Sequence, residues 1–89
     1  MYEILANCRV TKTPQEIDVM RWATKITVEG PIEVMQKIRD GMRESDLESI
    51  FKAFCEQKYK TGRVQPYTSI VGCGPTAATL HYNDNNKRV

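Results

Sequence analysis

The sequence predicts an α+β domain with an incomplete sheet, on three observations: apolar residues recurring at three and four through the first half, two capping-box signatures, and two short β-type runs near the C-terminal end. Two amphipathic helices and two strands do not close a core by themselves. More sheet is therefore required, from further sequence or from another copy of the chain.

Taken in order, residues 2–10 (YEILANCRV) carry apolar and β-branched side chains irregularly, which reads as a short strand or an extended linker. A helix start follows. Thr13 can cap, Pro14 suits the first helical position, and Glu16 stands where a capping box returns its side chain. From there Ile17, Met20, Ala23, Thr24 and Ile26 through Val34, Met35, Ile38 and Met42 trace one apolar stripe that needs a partner surface. Gly30-Pro31 interrupts the pattern, because proline lacks a ladder donor and disfavours the helical conformation before it. A kink or a break into two pieces is expected there. Gly41 is placed to stop the helix in the left-handed conformation, and Ser45 with Glu48 repeats the capping box. The next helix is expected from about residue 46 to 59, burying Leu47, Ile50, Phe51, Phe54 and Cys55. Thr61-Gly62 closes it, and Pro66 opens a different texture. Residues 67–73 (YTSIVGC) and 77–82 (AATLHY) are β-type runs around Gly74-Pro75-Thr76, a hairpin or two strands about a tight loop. The tail from Asn83 to Arg88 is a polar turn or loop by composition.

At 89 residues the chain allows one small domain, of a size that buries only about 60–65% of its unfolded surface. A net charge of +2 is too weak to imply nucleic acid or an anionic membrane, so neither is expected as a partner. No run of about 18 apolar residues is present, and Met1-Tyr2-Glu3 lacks the basic flank of a secretory signal. The chain reads as cytoplasmic or as an internal fragment. Cys8, Cys55 and Cys73 are odd in number and widely spaced, which argues for reduced, packed thiols rather than a disulfide framework or a zinc knuckle.

Read from residues alone, little chemistry stands out. His81, the sole histidine, lies between Leu80 and Tyr82 late in a β-type run and reads as a half-buried strand histidine; with Asp84 it is too poor a pair to hold a metal. Gly72-Cys73-Gly74-Pro75 lacks the Lys-Ser/Thr of a phosphate-binding loop and reads as a turn. Nothing in the sequence gives Cys73 the nearby base that a nucleophilic thiol needs. Glu16/Asp18 and Glu44/Asp46/Glu48 lie at helix starts, where capping and the helix dipole account for them. Lys52, Lys58, Lys60 and Arg63 form a solvated basic flank, and Trp22 is read as core or interface.

The run from Tyr67 to Tyr82, with Tyr67, Ile70, Gly72, Gly74, Leu80, His81, Tyr82 and an Asn cluster from Asn83, resembles the substrate-side motif of the pita-bread metallopeptidases that act at proline, the prolidase and aminopeptidase P group. Upstream, Cys8-Arg9-Val10, Lys12-Thr13, Glu33-Val34-Met35, Gly41-Met42 and Leu47-Glu48-Ser49 resemble the first two helices of that catalytic domain in order and spacing. The resemblance implies a partial pita-bread (creatinase/aminopeptidase-like) fold: two or three helices followed by a β-hairpin, with residues 1–10 joining from a further N-terminal domain and 11–89 opening the catalytic domain.

It also implies hydrolysis of an Xaa-Pro bond by the intact protein, with two divalent cations, typically manganese, held by aspartates, a histidine and glutamates that lie beyond the Leu-His-Tyr segment. No residue of this chain is thereby assigned as a metal ligand or catalytic group, and the chain by itself is expected to be inactive. His81 matches the histidine that lines the substrate pocket near the scissile bond, with Tyr82 and the Gly72–Gly74 turn shaping the wall beside it. An Xaa-Pro dipeptidase is the leading expectation, followed by aminopeptidase P and by a non-catalytic pita-bread binding module. Bare stripes and open strand edges further predict self-association into a homo-oligomer.

Overall fold

A helical hairpin organises the chain in the computed structural model, which describes residues 1–62, 65 and 67–89. Arg63 of the expected basic flank and Pro66 of the expected boundary lie outside the described residues. The elements are α1 (Tyr2–Val10), α2 (Pro14–Lys37), α3 (Glu44–Tyr59) and a short 3-10 turn at Gly74–Ala78.

The expected start of α2 is built as a capping box: Glu16 N–H donates to Thr13 Oγ1 at 3.1 Å, and Thr13 N–H donates to Glu16 Oε2 at 3.0 Å. Contrary to expectation, α2 continues through Gly30-Pro31 for 24 residues. Proline's ring clashes with the Cβ and N–H of a helical residue before it, and glycine removes the Cβ part of that clash. Gly30 has a second reason to lack a side chain. A Cβ there would lie 2.3 Å from Phe51 Cε2 and 2.7 Å from Cδ2, so the two helices meet at van der Waals contact over the glycine.

The α2 stop also differs. The helix closes at Ile38 in extended conformation, and Gly41, at φ +91°, bends the following loop rather than capping the helix. The start of α3 is capped by Asp46, whose Oδ2 accepts from Arg43 N–H at 2.8 Å, in place of the Ser45/Glu48 pair. Lys60, left-handed at φ 56°, ends α3 ahead of Thr61-Gly62. The helices run antiparallel. Phe51 sits over Gly30, Tyr59 donates to Glu29, and Trp22 meets Tyr59 edge-on at 6.1 Å. Leu47, Cys55 and Ile26 are buried between them; Ile50, Phe51 and Phe54 are half-buried.

Two further expectations fail. Residues 2–10 are neither strand nor extended linker but α1, which buries none of its residues. The β-hairpin over 67–82 is absent among the described residues: 67–73 run without a ladder partner, and the second run is replaced by the 3-10 turn. Locally this follows from competing hydrogen bonds, because Val71 N–H donates to Asn85 Oδ1 at 2.8 Å and Cys73 N–H donates to Glu44 Oε2 at 2.8 Å. Gly72 lies so close to the turn that a Cβ would stand 2.9 Å from Thr76 O. Among the described residues, the one backbone pairing outside helices that joins distant segments is an isolated antiparallel bridge of Arg43 with Arg88, flanked by Glu44 N–H to Lys87 O at 2.8 Å and Val89 N–H to Met42 O at 2.7 Å.

The resulting molecule is open. Its radius of gyration is 16.4 Å, against about 12 Å for a compact domain of this length. Much of the stripe expected on α2 is uncovered, with Met20 at 53% and Met35 at 69% exposure. No helix among the described residues is long and apolar enough to cross a membrane.

Candidate functional site

The two most completely buried side chains in the described structure are polar, Glu44 at 0% and Asn85 at 2% exposure, and they organise the end of the chain that carries His81. Burying an ionised carboxylate is unfavourable unless its oxygens are hydrogen-bonded. Glu44 meets that condition in full. Oε1 accepts from Tyr82 OH at 2.5 Å and from Lys87 N–H at 2.9 Å, while Oε2 accepts from Thr76 Oγ1 at 2.6 Å and from Cys73 N–H at 2.8 Å. A carboxylate offers about four lone-pair positions, so this one is saturated. Burial by itself would raise the Glu44 carboxyl; the Thr76 hydroxyl, the Tyr82 phenol and the N–H groups of Lys87 and Cys73 outweigh it and hold the group down at about 2. The same contact pushes the Tyr82 phenol up.

Asn85 does the equivalent one turn of chain away. It adopts the left-handed conformation, φ 48°, which asparagine tolerates better than most residues. Its Oδ1 receives Val71 N–H, and its Nδ2 donates to Ser69 O at 3.1 Å and to Glu48 Oε2 at 3.0 Å. Glu48 also pairs with Lys52 at 2.7 Å, and the Lys52 bond followed by the Asn85 amide outweighs desolvation to lower its carboxyl. Among the described residues no buried side-chain N or O atom lacks a partner.

Between these anchors the chain turns sharply. Tyr82 is buried at 7% with its hydroxyl on Glu44, whereas the adjacent His81 is exposed and left-handed at φ 52°. The expected half-buried strand setting of His81 is thus replaced by a corner that projects it from a fixed base. Cys73 is half-buried at the head of the 3-10 turn, where its backbone N–H donates to Glu44 Oε2 and Thr76 Oγ1. A groove of about 380 Å³ runs between the hairpin and the extended segment, lined by Pro31, Met35, Phe51, Tyr67, Ile70 and Gly72 among others; His81 does not line it.

Among the described residues no group of three or more His, Cys, Asp or Glu side chains converges as a metal site. Glu44, the most buried carboxylate, has no acceptor position to spare. The donor set among the described residues does not fit a divalent cation.

Glu44 and Asn85 escaped the sequence reading, which gave the first to helix capping and the second to a loop. One signal was available: Glu44, Leu47, Glu48, Phe51 and Cys55 fall on a single helical face, so two carboxylates lie on the buried stripe of α3.

The model of metallopeptidase family M24 matches residues 18–89. The chain is 42% identical over 80 residues to the Xaa-Pro dipeptidase of Homo sapiens, an alignment covering 88% of this chain and 16% of that protein. It is 40% identical over 78 residues to the Xaa-Pro dipeptidase of Rattus norvegicus, again covering 88% and 16%. To the probable Xaa-Pro aminopeptidase of Pyricularia oryzae it is 43% identical over 77 residues, covering 86% of this chain and 14% of that protein. The chain thus spans only a small part of the length of the curated relatives it matches. No solved structure matches it.

Proposed function

Because the chain belongs to metallopeptidase family M24, we propose that it is a segment of a proline-specific metallopeptidase, an Xaa-Pro dipeptidase that hydrolyses the Xaa-Pro bond in the intact protein. The observation that carries this reading is the 42% identity to the human dipeptidase along 88% of the chain. Aminopeptidase P is the second reading, favoured by the 43% identity to the Pyricularia protein.

In this proposal residues 1–10 are the join from a preceding domain and 11–89 open the catalytic domain, in keeping with an α1 that buries nothing. The extended segment 67–73 belongs to the sheet of a pita-bread fold, which would also occupy the open groove beside it. In this proposal two manganese ions, held by residues of the intact protein other than these, would supply the activated water and the Lewis acid, and none of this chain's residues enters a metal-dependent step.

The contribution of this chain is to the substrate pocket. His81 donates to the substrate near the scissile bond, where a hydrogen bond that strengthens as negative charge develops lowers the barrier. Tyr82 and the Gly72–Gly74 turn form the wall behind it. We place the peptidase in the cytoplasm, consistent with three unpaired cysteines, and assign it a peptide substrate and self-association rather than a nucleic-acid or membrane partner.

The test is manganese-dependent release of proline from an Xaa-Pro dipeptide by the peptidase that carries this segment, with chelation abolishing it. His81→Ala is expected to lower kcat/KM roughly 10²-fold or more. Absence of hydrolysis in a fully metallated protein would refute the assignment, and a preference for longer peptides would select the aminopeptidase reading.

A further inference from the structure

We infer that Glu44 is the positioning residue of the His81 corner, acting through Tyr82, Thr76 and the backbone N–H groups it receives rather than touching substrate itself. The inference rests on the proposed role of His81 for its catalytic consequence, but its structural content stands apart from that role.

Four donors from three separate stretches of the C-terminal segment converge on one carboxylate: Cys73 N–H and Thr76 Oγ1 before the corner, Tyr82 OH at it, and Lys87 N–H after it. Glu44 N–H in turn donates to Lys87 O at 2.8 Å, so main chain and side chain of Glu44 grip the same residue. His81 lies one residue from Tyr82 and five from Thr76, and its own backbone is left-handed at φ 52°. Outside glycine that conformation is uncommon, though histidine is among the residues that visit it, and a fixed setting on either side helps to hold it. Leu80 is 88% exposed and His81 is itself exposed, so the corner is held from its flanks, nearest by the Glu44 contacts at Thr76 and Tyr82 and further on by Asn85. The two hydrogen bonds of the Thr76 hydroxyl compete for one proton, and the carboxylate at 2.6 Å is the stronger acceptor than Cys73 O at 2.8 Å.

Glu44→Gln keeps the volume but turns one oxygen into a donor facing donors, so it breaks contacts on that side without opening a cavity. In the 89-residue chain, amide hydrogen exchange at Cys73 and Lys87 is expected to accelerate roughly tenfold or more. His81 is the sole histidine, so its imidazole C2 proton gives one assignable signal, which is expected to move to the position of an unstructured peptide while helical circular dichroism is retained. Asp46→Asn serves as the structural comparison, since Asp46 caps the same helix through Arg43 N–H. It should weaken α3 and leave the His81 signal in place, and Glu44→Asp should restore part of the wild-type pattern. In the peptidase that carries this segment, Glu44→Gln should lower kcat for the dipeptide more than it raises KM, because the His81 hydrogen bond strengthens in the transition state.

Equal movement of the His81 signal in Asp46→Asn and Glu44→Gln would overturn the inference, as would wild-type Cys73 and Lys87 amides exchanging at unprotected rates. If Glu44→Gln displaces the His81 signal while the wild-type peptidase fails to hydrolyse Xaa-Pro substrates, the positioning role holds and the functional reading fails.

Discussion

Replacing Gly30 by alanine tests whether contact between α2 and α3, rather than backbone freedom, demands a glycine there. In an ordinary helix interior the change stabilises by about 1 kcal/mol, because alanine loses less chain entropy on folding. Here the new methyl would stand 2.3 Å and 2.7 Å from two ring carbons of Phe51, far inside van der Waals contact, so the ring or the helix must shift. Overpacking of this kind costs about 1–3 kcal/mol, and the Cβ also meets the ring of Pro31. Set against the propensity gain, this leaves a net destabilisation of up to roughly 2 kcal/mol, at about 4–8 °C in Tm per kcal/mol for a chain of this size. A double-mutant cycle in urea isolates the contact: with Phe51→Ala in the background, the cost of Gly30→Ala should shrink by about 1 kcal/mol or more. Any residual cost belongs to Pro31. An equal cost in both backgrounds, or stabilisation by Gly30→Ala alone, would refute the reasoning.

Acid sensitivity should trace to Glu44. Its folded value of about 2 lies below the ordinary 4.5, so its contribution is complete above 4.5 and is lost as pH falls through 2; Glu29 and Glu48, also lowered, act with the same sign. The urea midpoint should fall across that window, and Glu44→Gln should flatten the fall. Tyr59, whose phenol is pushed up to about 12 by its hydrogen bond to Glu29, is expected as a late step in ultraviolet titration of the four tyrosines, absent in Tyr59→Phe; a phenol raised above its ordinary 10 loses its stabilising contribution as pH rises through 12. Light scattering at high concentration should report an oligomer, given the exposed Met20 and Met35; a clean monomer at all concentrations would remove self-association from the proposal.

Helix existence was legible because it rests on local rules. The Thr13/Glu16 box and the spacing of Leu47, Phe51 and Cys55 are read within one or two turns, and both stand in the structure. The failures share a different origin. Residues 2–10 hold β-branched and apolar side chains that suit a strand only if a sheet is there to receive them, and with no partner strand among the described residues the local hydrogen bonds of a helix prevail. The Gly30-Pro31 break was misread because the rule about residues preceding proline depends on a Cβ that glycine does not have. Family membership was legible in the Tyr67–Tyr82 motif and is carried by the M24 match over residues 18–89.

The candidate site shows why a carboxylate at a helix start resists reading from sequence. Glu44 and Asp46 are two residues apart, and either satisfies the preference for acid near the helix N-terminus. Only the three-dimensional path of residues 73–87 decides which one caps and which is buried, since Glu44 draws its donors from positions 29 to 43 residues away. That separation gives the network its consequence. A carboxylate whose partners were all on α3 would stabilise a helix and nothing more; one whose partners span the C-terminal segment converts helix burial into a fixed geometry for the exposed residues between them, His81 among them.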